Sequence, residues 1–141
     1  MRETDCIFFQ IAKIYQLSSR FLTKRVSGLD LTAVQAMILG FLHEEDRITS
    51  VELGSRAGLD SATLTGILDR LEAAGLIERK GNPEDRRSIH IHLTQKGKEV
   101  AKQAASTIEA ANFAFMEGLT EEQKRDLYRI IHKLRLSAPR A

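Results

Sequence analysis

Four basic residues crowd one short stretch of this 141-residue chain: Arg79, Lys80, Arg86 and Arg87, set around the polar turn Gly81-Asn82-Pro83-Glu84-Asp85. Such cations suit phosphate, and an arginine at the tip of a projecting turn can enter a narrow minor groove of DNA. Glu78, Glu84 and Asp85 oppose them, and Asp85 is expected to pair with an arginine and shape the loop. Just upstream, Ser61, Thr63, Thr65 and Arg70 offer hydroxyl and guanidinium groups. Carried on one helix, such groups can meet base edges in a major groove and phosphates at a helix start.

Other reactive side chains are few. Cys6 is the only cysteine, so no internal disulfide can form. It lies near the start of a helix, where a thiol pKa can fall, which makes it a candidate redox residue. His90 and His92 share one strand face, but no third ligand is evident, so no metal site is expected. No Ser-His-Asp set, glycine-rich phosphate loop or paired-carboxylate constellation stands out, so the chain reads as a non-enzyme without a cofactor.

The elements that must hold these groups are mostly helices. Ile7, Ile11, Ile14, Ser18 and Phe21, with Phe8, Tyr15 and Leu22 beside them, make one wide helical stripe. Thr32-x-x-Gln35 is a capping-box pattern opening a second helix with Val34, Met37, Ile38, Phe41 and Leu42. Thr49-x-x-Glu52 is another, opening a short helix with Val51, Leu53 and Ala57 that Gly58 stops. Asp60 or Ser61 caps a fourth helix, Ser61 to Ala74, whose Leu64, Ile67, Leu68 and Leu71 share a face. Ala62, Thr65, Gly66, Asp69 and Arg70 then point outward. With Asp60, Asp69 and Glu72 against Arg70 alone, this helix is net acidic.

After Gly75 the period changes to two. Ile89, Ile91 and Leu93 alternate with His90 and His92, which predicts a strand with one buried face, and Leu76 to Lys80 is its partner. Two helices joined at Gly58-Leu59-Asp60 and followed by this hairpin, Leu76 to Leu93, form a winged helix-turn-helix. From Thr94 a long helix carries Val100, Ala101, Ala104, Ala105, Ile108, Ala111 and Phe115, and Gly118 breaks it. A third capping box, Thr120-x-x-Gln123, precedes Leu127, Ile130, Ile131 and Leu134.

Composition sets broad bounds. The chain is 43% hydrophobic and 28% charged with a formal net charge of +2, so any nucleic-acid reading rests on where the charges lie. No apolar run reaches the ~18 residues of a membrane span, and no signal peptide is read, which predicts a soluble, cytoplasmic protein. The stripes of the first and last two helices are wider than a lone winged helix covers, which predicts a symmetric dimer.

Several of these residues together resemble the MarR family. They are Leu59-Asp60, Thr63, Thr65, Leu71-Glu72-Ala73-Ala74-Gly75-Leu76-Ile77, Arg79, Pro83, Asp85-Arg86-Arg87 and Leu93-Thr94-Gln95-Lys96-Gly97, with Leu31-Thr32 and Gln35 upstream. The resemblance covers essentially the whole chain. It implies a mainly α fold with a small β-hairpin wing, in a single domain 1–141. Segments 1–30 and 95–137 would supply interlocking dimerisation helices and 31–94 the DNA-binding region. It implies a homodimer that binds a pseudo-palindromic operator in double-stranded DNA, represses a nearby promoter and is released by a small ligand, aromatic or phenolic. Carried over by position, Ser61, Thr63, Thr65 and Arg70 meet the major groove, Arg87 enters the minor groove with Asp85 holding it, and Arg86 contacts the backbone or groove edge. Tyr15, Arg20, Phe21, His43 and Phe113 are the candidate ligand pocket. The chain departs from many relatives at Ala62, where they are polar, and at Gly66, where they are basic, which implies thinner or different base readout. Metal-sensing relatives carry histidines in the fifth helix, and residues 96–118 hold none. Two alternatives stand beside this reading: a winged helix used only for protein contacts, and a regulator that senses peroxide through Cys6.

Overall fold

A computed structural model describes residues 1–141, the side chains of Arg86 and Arg87 excepted. Six α-helices and one hairpin follow in order: α1 (Ile7–Val26), α2 (Ala33–Glu44), α3 (Ser50–Ala57), α4 (Ser61–Ala73), β1 (Ile77–Asn82), β2 (Asp85–Leu93), α5 (Gln95–Phe115) and α6 (Glu121–Ser137). Two compact units divide them, Met1–Ala111 and Asn112–Ala141.

In the first unit the core is built from α2, α3, α4, the hairpin and α5. Ile38, Leu39, Leu42, Leu53, Leu71, Ile77 and Ile91 are all but fully buried there. α2 starts where the sequence places its cap. Thr32 Oγ1 accepts from the Gln35 amide and Gln35 Oε1 accepts from the Thr32 amide, closing the box. At α3 only half of the expected box forms. Thr49 Oγ1 accepts from the Glu52 amide, but the Glu52 carboxylate instead receives Arg56, one turn on. Leu53 is buried and Ala57 half-buried as expected, whereas Val51 is 78% exposed. Its position one residue into α3 turns it away from the core.

The hairpin starts one residue later than the expected Leu76, and its strands run further towards the tip than their sequence pattern implies. β1 and β2 pair antiparallel from Ile77↔Leu93 to Gly81↔Ile89, then shift register to Asn82↔Asp85, so β2 carries extra length at the tip. The turn shrinks to Pro83 and Glu84. Asn82 Oδ1 accepts from the Glu84 amide and stabilises that turn. Of the three β2 residues assigned to a buried face, Ile91 and Leu93 are buried but Ile89, nearer the tip, is 40% exposed.

The sequence pattern did not reveal a third strip of extended chain. The Ile91 amide donates to the Ile48 carbonyl, and Thr49 bridges His90 antiparallel, just before α3. Asp46 Oδ1 accepts from the Leu93 amide at 3.0 Å and from the Arg47 amide at 2.8 Å. Arg47 adopts a left-handed φ of 65° to make this corner.

The stripe of α1 is apolar as read, but within one chain it is largely bare. Ile7, Phe8, Ile11, Ile14, Tyr15 and Leu17 are all exposed, and only Val26 is buried. In the second unit, Thr120 and Gln123 close a capping box at the start of α6. Leu127, Ile130, Ile131 and Leu134 are exposed along that helix, which buries no residue. No single helix among the described residues is long and apolar enough to cross a membrane.

Candidate nucleic-acid interface

α4 is the element whose outer face carries the sequence-selected groups. Leu64, Ile67, Leu68 and Leu71 are buried, which leaves Ser61, Ala62, Thr63, Thr65, Gly66, Asp69 and Arg70 exposed. Asp60 is the cap. Its Oδ1 accepts from the Thr63 amide at 2.8 Å and its Oδ2 from the Thr63 hydroxyl at 3.0 Å. Those bonds hold its carboxyl below the usual range, the Thr63 amide contributing most. Of the amides in the first turn of α4, that of Thr63 is thus taken up by the cap. Thr65 donates its hydroxyl hydrogen to the Ser61 carbonyl at 2.8 Å, so it meets an incoming group chiefly as an acceptor. The Ser61 hydroxyl and the Arg70 guanidinium make no hydrogen bond or ion pair among the described residues.

The net acidity of α4 has a structural answer. Arg79, on β1, reaches back across seven residues to Glu72. Its Nη2 donates to Glu72 Oε1 at 2.9 Å, its Nε lies 3.4 Å from Oε2, and its backbone amide donates to Oε2 at 3.1 Å. The same Nη2 lies 2.6 Å from Asp69 Oδ1. Both helix carboxylates are thus contacted by one guanidinium, which offsets one of their two charges. Hydrogen bonds from Arg79 hold the Glu72 carboxyl below its ordinary range, and Glu72 and then Asp69 raise the Arg79 guanidinium. With Asp60 serving as the cap, Arg70 on the helix's outer face has no ion pair among the described residues.

A knot ties the end of α4 to the start of α5. Thr94 Oγ1 donates to the Gly75 carbonyl at 2.6 Å and accepts from the Gly97 amide at 2.9 Å. The Thr94 amide donates to the Leu76 carbonyl, and Lys96 Nζ donates to the Ala74 carbonyl at 3.3 Å. Gly75, at φ 75°, makes the left-handed exit from α4. The pattern Leu93-Thr94-Gln95-Lys96-Gly97 is therefore a joint rather than a contact surface, and the spacing of Ala74-Gly75-Leu76 is its other half.

Arg86 and Arg87 belong to β2, and their side chains lie outside the described residues. Asp85 stands opposite Asn82 at the tip. Lys80 Nζ lies 3.6 Å from the Glu78 carboxylate. Among the described residues no group of three or more His, Cys, Asp or Glu side chains could hold a metal ion. His92 is held below its ordinary pKa, first by burial and then by Lys80 and Arg47.

The residues assigned to a ligand pocket are scattered in exposure. Tyr15, Arg20 and His43 are exposed, while Phe21 is half-buried with the Arg25 guanidinium 4.6 Å from its ring centre. In the second unit Phe113 is exposed, with Lys124 Nζ 5.0 Å from its ring centre. Three clefts of about 200, 320 and 600 Å³ are lined by other residues; the second includes Asp30, Gln35, Arg70 and Lys96. Cys6 is half-buried at the N-cap of α1, and its thiol makes no hydrogen bond among the described residues.

The family model for MarR, the MarR family, matches residues 31–89, which is the stretch from α2 through the wing. The Organic hydroperoxide resistance transcriptional regulator of Bacillus subtilis (strain 168) is 36% identical over 132 residues, covering 89% of each chain. This chain belongs to the MarR family. Like other MarR proteins it is related to transcriptional regulators, among them the Multiple antibiotic resistance protein MarR of Salmonella typhimurium, 38% identical over 110 residues (73% of this chain, 76% of that one). Among solved structures, a mutant of MarR from E. coli complexed with operator DNA superposes with a TM-score of 0.80 at 30% identity, over 89% of this chain and 90% of that chain. Six helices and an antiparallel two-stranded wing are the MarR architecture.

Proposed function

We propose that this MarR protein is a homodimeric, sequence-specific DNA-binding regulator that represses a nearby promoter and is released by a small ligand. The observation that carries the reading is the coupling of α4, whose Asp69 and Glu72 are both tied to Arg79, to a wing bearing Arg86 and Arg87. α4 enters the major groove with Ser61, Thr63, Thr65 and Arg70. Arg87 enters the minor groove, Asp85 shapes the tip that carries it, and Arg86 meets the backbone. The relative solved with operator DNA supports this docking.

Segments 1–30 and 95–137 supply the dimer contacts and 31–94 the DNA-binding part. The exposed apolar residues of α1 and of α6 support this division. Each Å² of such surface left in water forgoes roughly 25 cal/mol, so a second copy is the natural cover. The paired α4 helices then meet half-sites about one helical turn apart. A bacterial-type regulator of this kind acts in the cytoplasm and catalyses no reaction. The ligand reading rests on the family resemblance, with Tyr15, Arg20, Phe21, His43 and Phe113 as its candidate residues.

The test is a gel-shift and anisotropy titration against duplexes that the protein selects from random DNA. Binding should weaken steeply as salt rises, since phosphate contacts release counterions. A chain that selects no sequence, or binds without salt dependence, is instead a protein-contact module. The peroxide reading separates by one further step: hydroperoxide-induced release from the selected duplex that Cys6→Ser abolishes would replace release by a bound ligand.

A further inference from the structure

We infer that Arg79 is a positioning residue that sets the reach of the wing relative to α4, through its fork onto Glu72 and Asp69; this rests on the DNA-binding reading above. The case begins with the pleat. Ile77 and Arg79 lie on the same face of β1, opposite Leu93 and Ile91 of β2. Ile77 and Ile91 are almost fully buried and Leu93 is 9% exposed, so the base of the hairpin is held by apolar packing. The next pair on that face is Gly81 and Ile89. Gly81 has no side chain to pack, and Ile89 is 40% exposed. Apolar anchoring therefore ends at Arg79.

What replaces it is the fork. Arg79 delivers three hydrogen-bond contacts to one carboxylate, two from the guanidinium and one from its own backbone amide, and closes an ion pair to Asp69. Glu72 and Asp69 are one turn apart on the same side of α4, so two points on the helix are fixed against one point on the strand. Planar, delocalised geometry makes this a directional tie, which a lysine's single ammonium cannot reproduce. It stands at the last pair before Gly81 and Ile89, where the apolar packing of this face ends. Beyond it the strand runs three residues, about 10 Å at ~3.3 Å each, to the tip. Rotation at the fork is carried along that arm to the minor-groove residues.

Two subsidiary facts fit this assignment. The backbone amide of Arg79, not only its side chain, bonds Glu72, so the strand itself is registered on the helix. Asp69 is 57% exposed on the outer face of α4, where an unmatched carboxylate would repel phosphate. The fork thus sets the wing and reduces that repulsion together, since one guanidinium offsets one of the two carboxylate charges. Positioning is separable from charge by substitution, because lysine keeps the charge and loses the fork.

The experiment uses the full-length protein and a duplex selected by the wild type from random-sequence DNA. Arg79→Lys, Arg79→Gln and Glu72→Gln are compared for affinity, hydroxyl-radical footprint and thermal unfolding. Both Arg79 variants should lose roughly tenfold or more in affinity, about the loss of one or two good DNA contacts. Protection at the flanking minor grooves should weaken while protection at the α4 half-sites persists. Glu72→Gln should shift the footprint in the same direction, and it serves as the informative variant if an Arg79 change prevents folding. Wild-type affinity and footprint in Arg79→Lys would overturn the inference, because charge alone would then suffice. Equal loss of protection at both grooves would also overturn it. Failure of the wild-type protein to select or bind any duplex is a different result, which removes the DNA-binding reading itself.

Discussion

A β-carbon placed on Gly97 would fall on the carbonyl oxygen of Leu76. No side chain fits between the first turn of α5 and the chain leaving α4, so this contact fixes where the long helix departs from the DNA-binding part. Gly97→Ala should cost about 1–3 kcal/mol, in the range of overpacked cores, since the obstruction is backbone. Chemical denaturation of the two proteins side by side measures it. An unchanged midpoint would mean that the joint yields freely.

The dimer prediction concerns bare apolar faces. Ile131→Glu on α6, or Ile14→Glu on α1, places a charge where each helix shows exposed apolar side chains. Sedimentation velocity should show the wild type as a dimer and each variant shifted towards monomer, with operator affinity falling in parallel. A wild type that sediments as a monomer at micromolar concentration contradicts the arrangement.

A third prediction isolates the wing. Arg87→Ala should weaken binding to the selected duplex and reduce the slope of log affinity against log salt by about one, the signature of a lost phosphate-region contact. Dimerisation and helix content should be unchanged. Full affinity in this variant would mean that the wing does not engage DNA.

Acid should loosen the DNA-binding part before it disrupts the rest. Asp60 and Glu72 both have carboxyl pKa values lowered in the folded chain, by the Thr63 amide and by Arg79 respectively. The sign follows: each contributes stability that is complete above its unfolded value, near pH 4, and is lost as pH falls through the folded one. His92, lowered chiefly by burial, acts in the same direction nearer its ordinary value of 6.5. Melting temperature should therefore fall as pH is lowered through these windows. The acid limb should be shallower in an Asp60→Asn, Glu72→Gln double variant. Identical limbs in both proteins would show that these bonds do not couple to folding.

Periodicity exposed much of the fold. Leu64, Ile67, Leu68 and Leu71 repeat at helical spacing, and all four face the core of the folded chain. Capping boxes at Thr32 and Thr120 were legible because the partners lie three residues apart. What stayed hidden depends on distance along the chain. Ile48 joins the hairpin across more than forty residues, and a single apolar residue beside Arg47 carries no strand period. Arg79 reads as one more cation of the wing, and only the register that brings β1 over α4 reveals its partners. Val51 and Ile89 fit their apolar patterns yet stand in water, since pattern does not show where the neighbouring elements end. The outward groups of α4 were legible from the same helical repeat, while the loss of the Thr63 amide to Asp60 depended on cap geometry.

The central claim is that paired copies of α4 and the wing read one side of a duplex. Selection of bound sequences from random DNA by the wild-type protein, followed by footprinting of the enriched duplex, addresses it directly. The account predicts an inverted repeat with half-site centres about 10 base pairs apart and flanking minor-groove protection. Enrichment of no sequence, or of a single site without symmetry, would contradict it.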